Sequence, residues 1–177
     1  MANVFEAANF FIDSVDNMSL TKLHKMLYFA QGVHLARTGM PLFDNDIHAW
    51  PYGPVVPTVH NKFSPNKGGV RLLEEYISPS FTNTEESALV DVAVEYGLCS
   101  AATLSDITHQ EGTPWTETTK NEIIPSNLIK EYFSAKKIVN SFKIDLSDAE
   151  VIGHRNAEGV LVLSAEESEG WEDDDEV

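Results

Sequence analysis

The sequence predicts an all-α fold, a compact bundle of six or seven short helices, followed by a small extension and an acidic tail. Apolar residues over 3–135 recur at spacings of three and four, and capping residues, Gly and Pro separate these periodic runs. Beyond Ile144 this periodicity ends. We therefore divide the chain into a helical domain over 1–140, an extension over 141–165 that fits a β-hairpin, and a tail over 166–177 that we expect to be disordered.

The first two predicted helices follow each other closely and should pack as neighbours. The first runs from Asn3 to Val15 with a wide apolar face, and the second runs from about Leu20 to Arg37. Ser19 is placed to cap the second helix, and Gly39 can take the left-handed conformation that ends it. The cationic residues of the second helix fall between its apolar positions, and we expect their charges to stay in water: Lys22, Lys25 and Arg37.

A stiff turn follows the second helix. Pro51 and Pro54 fix their own φ angles, and Gly53 between them is expected at positive φ. We predict an irregular segment over Pro41–Ala49. Because prolines are tolerated in the first turn of a helix, we also predict a helix from about Pro54 to Phe63.

The later part of the domain carries further helix signals. One helix is predicted over Glu85–Tyr96 with Thr84 as its N-cap, and another begins at Ser100 and ends near Gln110. Pro114 can open a short helical turn that reaches about Lys120. The apolar side of a last helix is given by Leu128, Ile129, Tyr132 and Phe133. In the extension, Val151–His154 and Val160–Leu163 read as two strands around a turn.

Charge limits the classes of partner. The formal net charge is −16, and half of this excess lies in residues 166–177, which hold eight acidic residues and no basic one. Such a charge disfavours binding to nucleic acid or to an anionic membrane, and it favours either a basic partner or a simple role in solubility. No signal peptide or membrane span is apparent, and the single cysteine, Cys99, is expected to be buried and apolar, so we expect a cytoplasmic protein.

Motifs for catalysis or metal binding are absent from the sequence. The six histidines do not show ligand spacing, and no nucleophile elbow or phosphate-binding glycine loop is present. We therefore predict no enzyme activity, no catalytic residues, no metal and no cofactor.

The segment from Lys22 to Val59 carries the most specific motifs of the chain. It contains KxxKMLYFAQGxxLA, then GxPLF, then AWPYGPVVPxV, and the later segments YG, LSDITH, PW and IxxYF follow in order up to Phe133. In these motifs the chain resembles the Panacea antitoxin domain, also described as SocA-like or phage-associated GepA-like. The resemblance covers roughly residues 5–135. It implies an antitoxin-like protein-binding module that neutralises a cognate toxin by direct contact.

Two further functions and two interpretations of the proline turn remain open. The resemblance also implies an adapter that delivers a bound protein to an ATP-dependent protease, and a phage-encoded hydrolase with a site near His60 or His109 is a separate alternative. A transcriptional regulator is disfavoured by charge.

The aromatic residues of the turn either pack in the core as structural residues or offer rigid apolar contacts to a partner. On the second interpretation the predicted partner-binding residues are Trp50, Tyr52, Gly53, Pro54, Val55 and His60.

Overall fold

The computed structural model describes residues 1–76 and 79–136, together with two short strands at 153–155 and 161–163. The chain divides into two compact units, Met1–Phe142 and Lys143–Val177. In the second unit, β3 (Gly153–Arg155) and β4 (Leu161–Leu163) pair antiparallel, with Gly153 opposite Leu163, as the predicted hairpin requires. The predicted acidic tail lies outside the described residues.

The first unit is mostly helical, which confirms the predicted fold class. Among its described residues, the strands are β1 (His48–Trp50) and β2 (Gly53–Val55). Its α-helices are α1 (Val4–Ser14), α2 (Leu20–Thr38), α3 (Pro57–Phe63), α4 (Asn83–Tyr96), α5 (Ala101–Thr108) and α6 (Ser126–Ala135). Short 3₁₀ turns occur at Pro65–Lys67 and Glu74–Tyr76.

Side-chain caps set the starts of several helices. Ser19 accepts a hydrogen bond from the Lys22 amide at the start of α2, and Gly39 ends that helix at φ 74°, both as predicted. Ser100 caps α5, which begins at Ala101, one residue after the predicted start. The predicted cap of α4 was wrong, because Thr82 rather than Thr84 accepts from the Glu85 amide, so the helix begins two residues earlier.

Helix α2 is the centre of the bundle. It contacts each of the other five helices and β2, and residues 22–35 are all buried. The prediction that Lys22 and Lys25 stay in water was therefore wrong, since this part of α2 has no side left for solvent. The Lys22 ammonium donates to the carbonyl oxygens of Gly97 at 2.7 Å and of Asp16 at 3.3 Å. Arg37, near the end of the helix, is exposed as predicted and pairs with Asp91 at 2.6 Å.

Two buried amides and one glycine fix the packing around α2. Gln31 accepts from the amides of Leu42 and Phe43 and donates to the Phe43 carbonyl, which pins the chain after α2. Asn9 makes a matching pair of bonds to the backbone of Leu73. Gly32 lets the ring of Phe133 on α6 approach α2 so closely that a Cβ atom would overlap it.

The segment around the proline turn differs from the prediction. Residues 53–55 form a strand, and α3 begins at Pro57 rather than Pro54. The irregular segment predicted before the turn ends in β1. One edge of β1 pairs with β2, and the other edge is hydrogen-bonded to the chain at 121–124. Ala49 donates to the Glu122 carbonyl at 2.9 Å, and Ile124 donates to the Ile47 carbonyl at 2.8 Å. This pairing partner is distant in sequence, so the local pattern could not show it.

Two other expectations need adjustment. Residues 110–119 form successive turns rather than a helical segment, although the Glu117 amide does bond the Thr113 carbonyl as in one helical turn. Cys99 is only half-buried, against the core.

Among the described residues, no single helix is long and apolar enough to span a membrane. Helices α4 and α5 reach the required length and apolar character only when they are taken together, and they meet at an angle of 109°.

Candidate partner-binding site

The candidate site is the β1–β2 hairpin, whose strands are joined by Pro51 and Tyr52. Trp50 lies opposite Gly53, and Gly53 has φ 103°, a positive value as predicted. Ala49 lies opposite Pro54, and the amide and carbonyl of Ala49 bond to the chain at 121–122 instead of to β2. The missing N–H of Pro54 therefore costs no ladder hydrogen bond at this pair.

A buried lysine, Lys25, is hydrogen-bonded to the backbone of the hairpin. The Lys25 ammonium donates to the Tyr52 carbonyl at 2.6 Å and lies 3.4 Å from the Pro54 carbonyl. No salt bridge to Lys25 forms within the described part of the chain. Burial lowers the pKa of Lys25 from 10.5 to about 8. The ammonium is thus a cation held by backbone carbonyls, and it fixes both ends of the turn.

Two pairs of aromatic and histidine rings pack around Trp50. His60 meets Trp50 edge-on at 5.0 Å between ring centroids and stacks on His24 at 5.9 Å. The indole N–H of Trp115 donates to the Trp50 carbonyl at 2.9 Å, and Trp115 stacks on His109 at 4.0 Å. Trp50 thus contacts His60 through its ring and Trp115 through its carbonyl oxygen, and its side chain is half-buried.

His24 is the most perturbed histidine of this group. Burial, with smaller contributions from the charges of Lys25 and His60, lowers the pKa of His24 to about 3. Its Nδ1 accepts from the Val56 amide at 3.4 Å, whereas its Nε2 finds no hydrogen-bond partner among the described residues. His24 is therefore neutral at physiological pH, with Nδ1 as the acceptor and the ring proton on Nε2.

The hairpin exposes one large side chain. Tyr52 is 79% exposed at the tip, and Pro51 beside it is also exposed. Of the other predicted partner-binding residues, Trp50 and His60 are half-buried, and Gly53, Pro54 and Val55 are buried. The surface that the hairpin offers to a partner is therefore Tyr52 and Pro51, edged by Trp50 and His60. The buried three residues shape this surface without forming it.

A shallow cavity of about 330 Å³ lies beside the hairpin. Its lining is Ala49, Pro51, Trp115, Thr116, Thr118 and Lys120. It extends the exposed tip toward the turns at 115–120, and a partner side chain could enter it.

The sequence reasoning missed Lys25, His24 and Trp115 as parts of this site. A signal for the first two was present, because apolar residues in α2 occupy every side of the helix and not one stripe. A helix that is apolar all round is buried all round, and its polar residues are then buried with it. Trp115 offered no such signal, since its contact to Trp50 depends on the path of the intervening chain.

Residues with metal-binding or hydrolytic potential do not converge here. Within the described residues, no three of the His, Cys, Asp and Glu side chains are grouped to hold a metal ion. In the same part of the chain, His60 and His109 contact aromatic rings, and neither is hydrogen-bonded to a Ser, Thr or Cys.

The fold and the hairpin define a mostly helical domain with a rigid, partly exposed aromatic turn, and comparison with known proteins gives its family. Residues 23–116 match the family model described as antitoxin SocA-like, Panacea domain. The chain belongs to this family. It is also 33% identical over 104 residues to the antitoxin SocA of Caulobacter vibrioides (strain NA1000 / CB15N), which is 52% of this chain and 55% of that relative. The chain thus matches only about half the length of this curated relative, and no solved structure matches it.

Proposed function

We propose that this chain is an antitoxin that neutralises a cognate toxin by direct contact, and that the hairpin tip is part of the contact surface. Family membership and the similarity to the antitoxin SocA support the antitoxin role. The observation that carries the choice of surface is Tyr52, which is 79% exposed on a backbone that is held in place.

The backbone of the hairpin is rigid before a partner binds. Lys25 binds the Tyr52 carbonyl, and Trp115 binds the Trp50 carbonyl, so the backbone on which Tyr52 stands is fixed before a partner arrives. Less ordering entropy is then lost on binding, and tyrosine is enriched among residues that dominate interface energies. The acidic charge of the chain further favours a basic toxin.

The test begins with the reading frames that neighbour the gene. A neighbour that is toxic when expressed alone and harmless with this chain would identify the toxin, and titration calorimetry of the purified pair would test direct binding. We expect Tyr52→Ala to weaken binding by about tenfold or more. Leu72→Ala, which changes an exposed apolar residue elsewhere, should leave binding unchanged. Unchanged affinity in Tyr52→Ala would remove the hairpin from the interface.

The adapter alternative predicts a different dependence on the host. If the chain delivers the toxin to an ATP-dependent protease, neutralisation should be lost in a host that lacks that protease, although the pair would still bind. If direct contact inhibits the toxin, neutralisation should persist there. A neighbour whose toxicity is relieved without any binding between the two proteins would contradict both mechanisms.

A further inference from the structure

A second exposed feature lies on α4. Val90, Val94 and Leu98 follow at intervals of four residues along this helix and the turn after it, and they are 41%, 69% and 102% exposed. The opposite side of α4 buries Ala88, Leu89 and Val92 in the core. The helix is therefore apolar on two sides, and packing within the domain accounts for only one of them. We call the three exposed residues the α4 stripe.

The α4 stripe belongs to a stretch of sequence without basic residues. The sequence has no Lys or Arg between Arg71 and Lys120, and this interval holds nine acidic residues. Glu86 and Glu95 are exposed on α4 itself, and Asp106 is exposed on α5. The stripe is thus an apolar ridge, and Glu86 and Glu95 on the same helix give it a negative border.

The stripe is also held firmly. The Lys22 ammonium donates to the Gly97 carbonyl, next to Leu98, from inside the core. Arg37 pairs with Asp91, which ties the middle of α4 to the end of α2. Neither cation changes the character of the exposed border, since Lys22 is buried and Arg37 is engaged by an acid.

We propose that the α4 stripe is the docking site for a basic amphipathic helix of another protein. An apolar ridge with spacing four fits the groove between the side-chain rows of a second helix. Lysine or arginine beside the apolar face of that helix would meet the acidic border. A second copy of this chain would bring an equally acidic border to the contact, and an anionic membrane would be repelled, so charge selects a cationic partner.

This inference does not depend on the antitoxin proposal. It concerns a surface on α4 and not the hairpin, and it can be tested without a toxin. The probe is a synthetic helical peptide of five turns with leucine at every third or fourth position and lysine elsewhere. Its controls are a scrambled peptide of the same composition and a peptide with glutamate in place of lysine. Fluorescence anisotropy measures binding to the full chain.

Three double variants test the apolar and the electrostatic contributions to peptide binding separately. Val94→Ser with Leu98→Ser removes the ridge, and we expect binding to weaken by about tenfold or more. Glu86→Gln with Glu95→Gln lowers the charge of the border and should weaken binding severalfold, with less dependence on salt. Met40→Ser with Ile123→Ser, which changes two exposed apolar residues elsewhere, should bind as the parent does. Circular dichroism and thermal melts establish that each variant is folded.

The outcomes are distinct. Attraction to the acidic tail is common to all variants and cannot imitate a loss specific to the ridge variant. The proposal is overturned if the scrambled peptide binds as well as the helical one, or if the folded ridge variant binds like the parent. It is also overturned if the parent forms a dimer in sedimentation or binds zwitterionic lipid vesicles, and if Val94→Ser with Leu98→Ser abolishes that dimer or that binding.

Discussion

The Lys25 ammonium lies against Gly53, in the space that a Cβ atom at position 53 would occupy. The glycine is therefore required twice, once for its φ of 103° and once for the room that it leaves to the cation. The hairpin, the buried lysine and the glycine form one unit, and a change in any of them should disturb the other two.

Replacing Gly53 with alanine should separate these two requirements. We expect Gly53→Ala to lower the free energy of unfolding by more than the roughly 1–3 kcal/mol of backbone strain alone. Gly69→Ala is the matched control, because Gly69 also has positive φ but has no atoms near the added Cβ. Denaturant unfolding of both variants gives the comparison. Equal losses would show that Lys25 moves aside at little cost.

Lys25 should make stability depend on pH in the alkaline range. Its pKa is about 8 in the folded chain and 10.5 in the unfolded chain, so between these values the unfolded chain binds a proton that the folded chain does not. The free energy of unfolding should then rise with pH, by at most about 1.4 kcal/mol per pH unit. Above about pH 10 the buried Tyr28 and the half-buried Tyr96 oppose this trend, because burial raises their pKa values.

Lys25→Met tests this assignment. The variant should lose the rise in stability between pH 8 and pH 10, and at neutral pH it should be less stable by about 1–3 kcal/mol, since the Tyr52 carbonyl loses its donor. Lys130→Met, at an exposed lysine, should keep the rise. If Lys25→Met showed the same pH profile as the parent, the ammonium would be better solvated than its burial indicates.

His24 should contribute in the same sense in the acid range, where the free energy of unfolding should also rise with pH. Its pKa is about 3 in the folded chain and 6.5 in the unfolded chain, so its contribution is complete above pH 6.5 and is lost as the pH falls toward 3. His24→Asn can retain an acceptor for the Val56 amide. As the pH falls from neutral, the free energy of unfolding of this variant should decrease less than that of the parent. His48→Asn serves as the histidine control. The measurement is the unfolding free energy at several pH values, and a constant difference between parent and His24→Asn would refute the assignment.

Gly32 predicts a coupling between α2 and α6. Gly32→Ala should destabilise the domain by about 1–3 kcal/mol, because the new Cβ would overlap the ring of Phe133. The double variant with Phe133→Leu should lose less than the sum of the two single changes, since the smaller side chain makes room. Additive losses in thermal or denaturant unfolding would mean that the two helices separate slightly instead.

The features that sequence predicted well are those with local causes. Helix ends are set by residues that act within a few positions of themselves: Ser19 and Ser100 accept from nearby amides, and Gly39 takes a positive φ. The helices that begin or end at these residues were predicted almost to their ends. The hairpin was missed because β1 and β2 are only three residues each and are supported by residues 121–124, far along the chain. Pro54 to Pro57 read locally as the first turn of a helix. The acceptors of the Lys25 ammonium could not be predicted for the same reason, since they lie 27 and 29 residues away.

Helix α2 has one consequence for how the molecule opens. Because it contacts each of the other five α-helices in the described part of the first unit, none of them can detach without uncovering it, yet each can fray while most of α2 stays covered. The amide hydrogens of its middle turns should therefore exchange with solvent water only when the whole unit unfolds, and those of α4 and α5 should exchange sooner. The rate at which α2 takes up deuterium would then report the global stability of the first unit, undisturbed by local motions of its periphery.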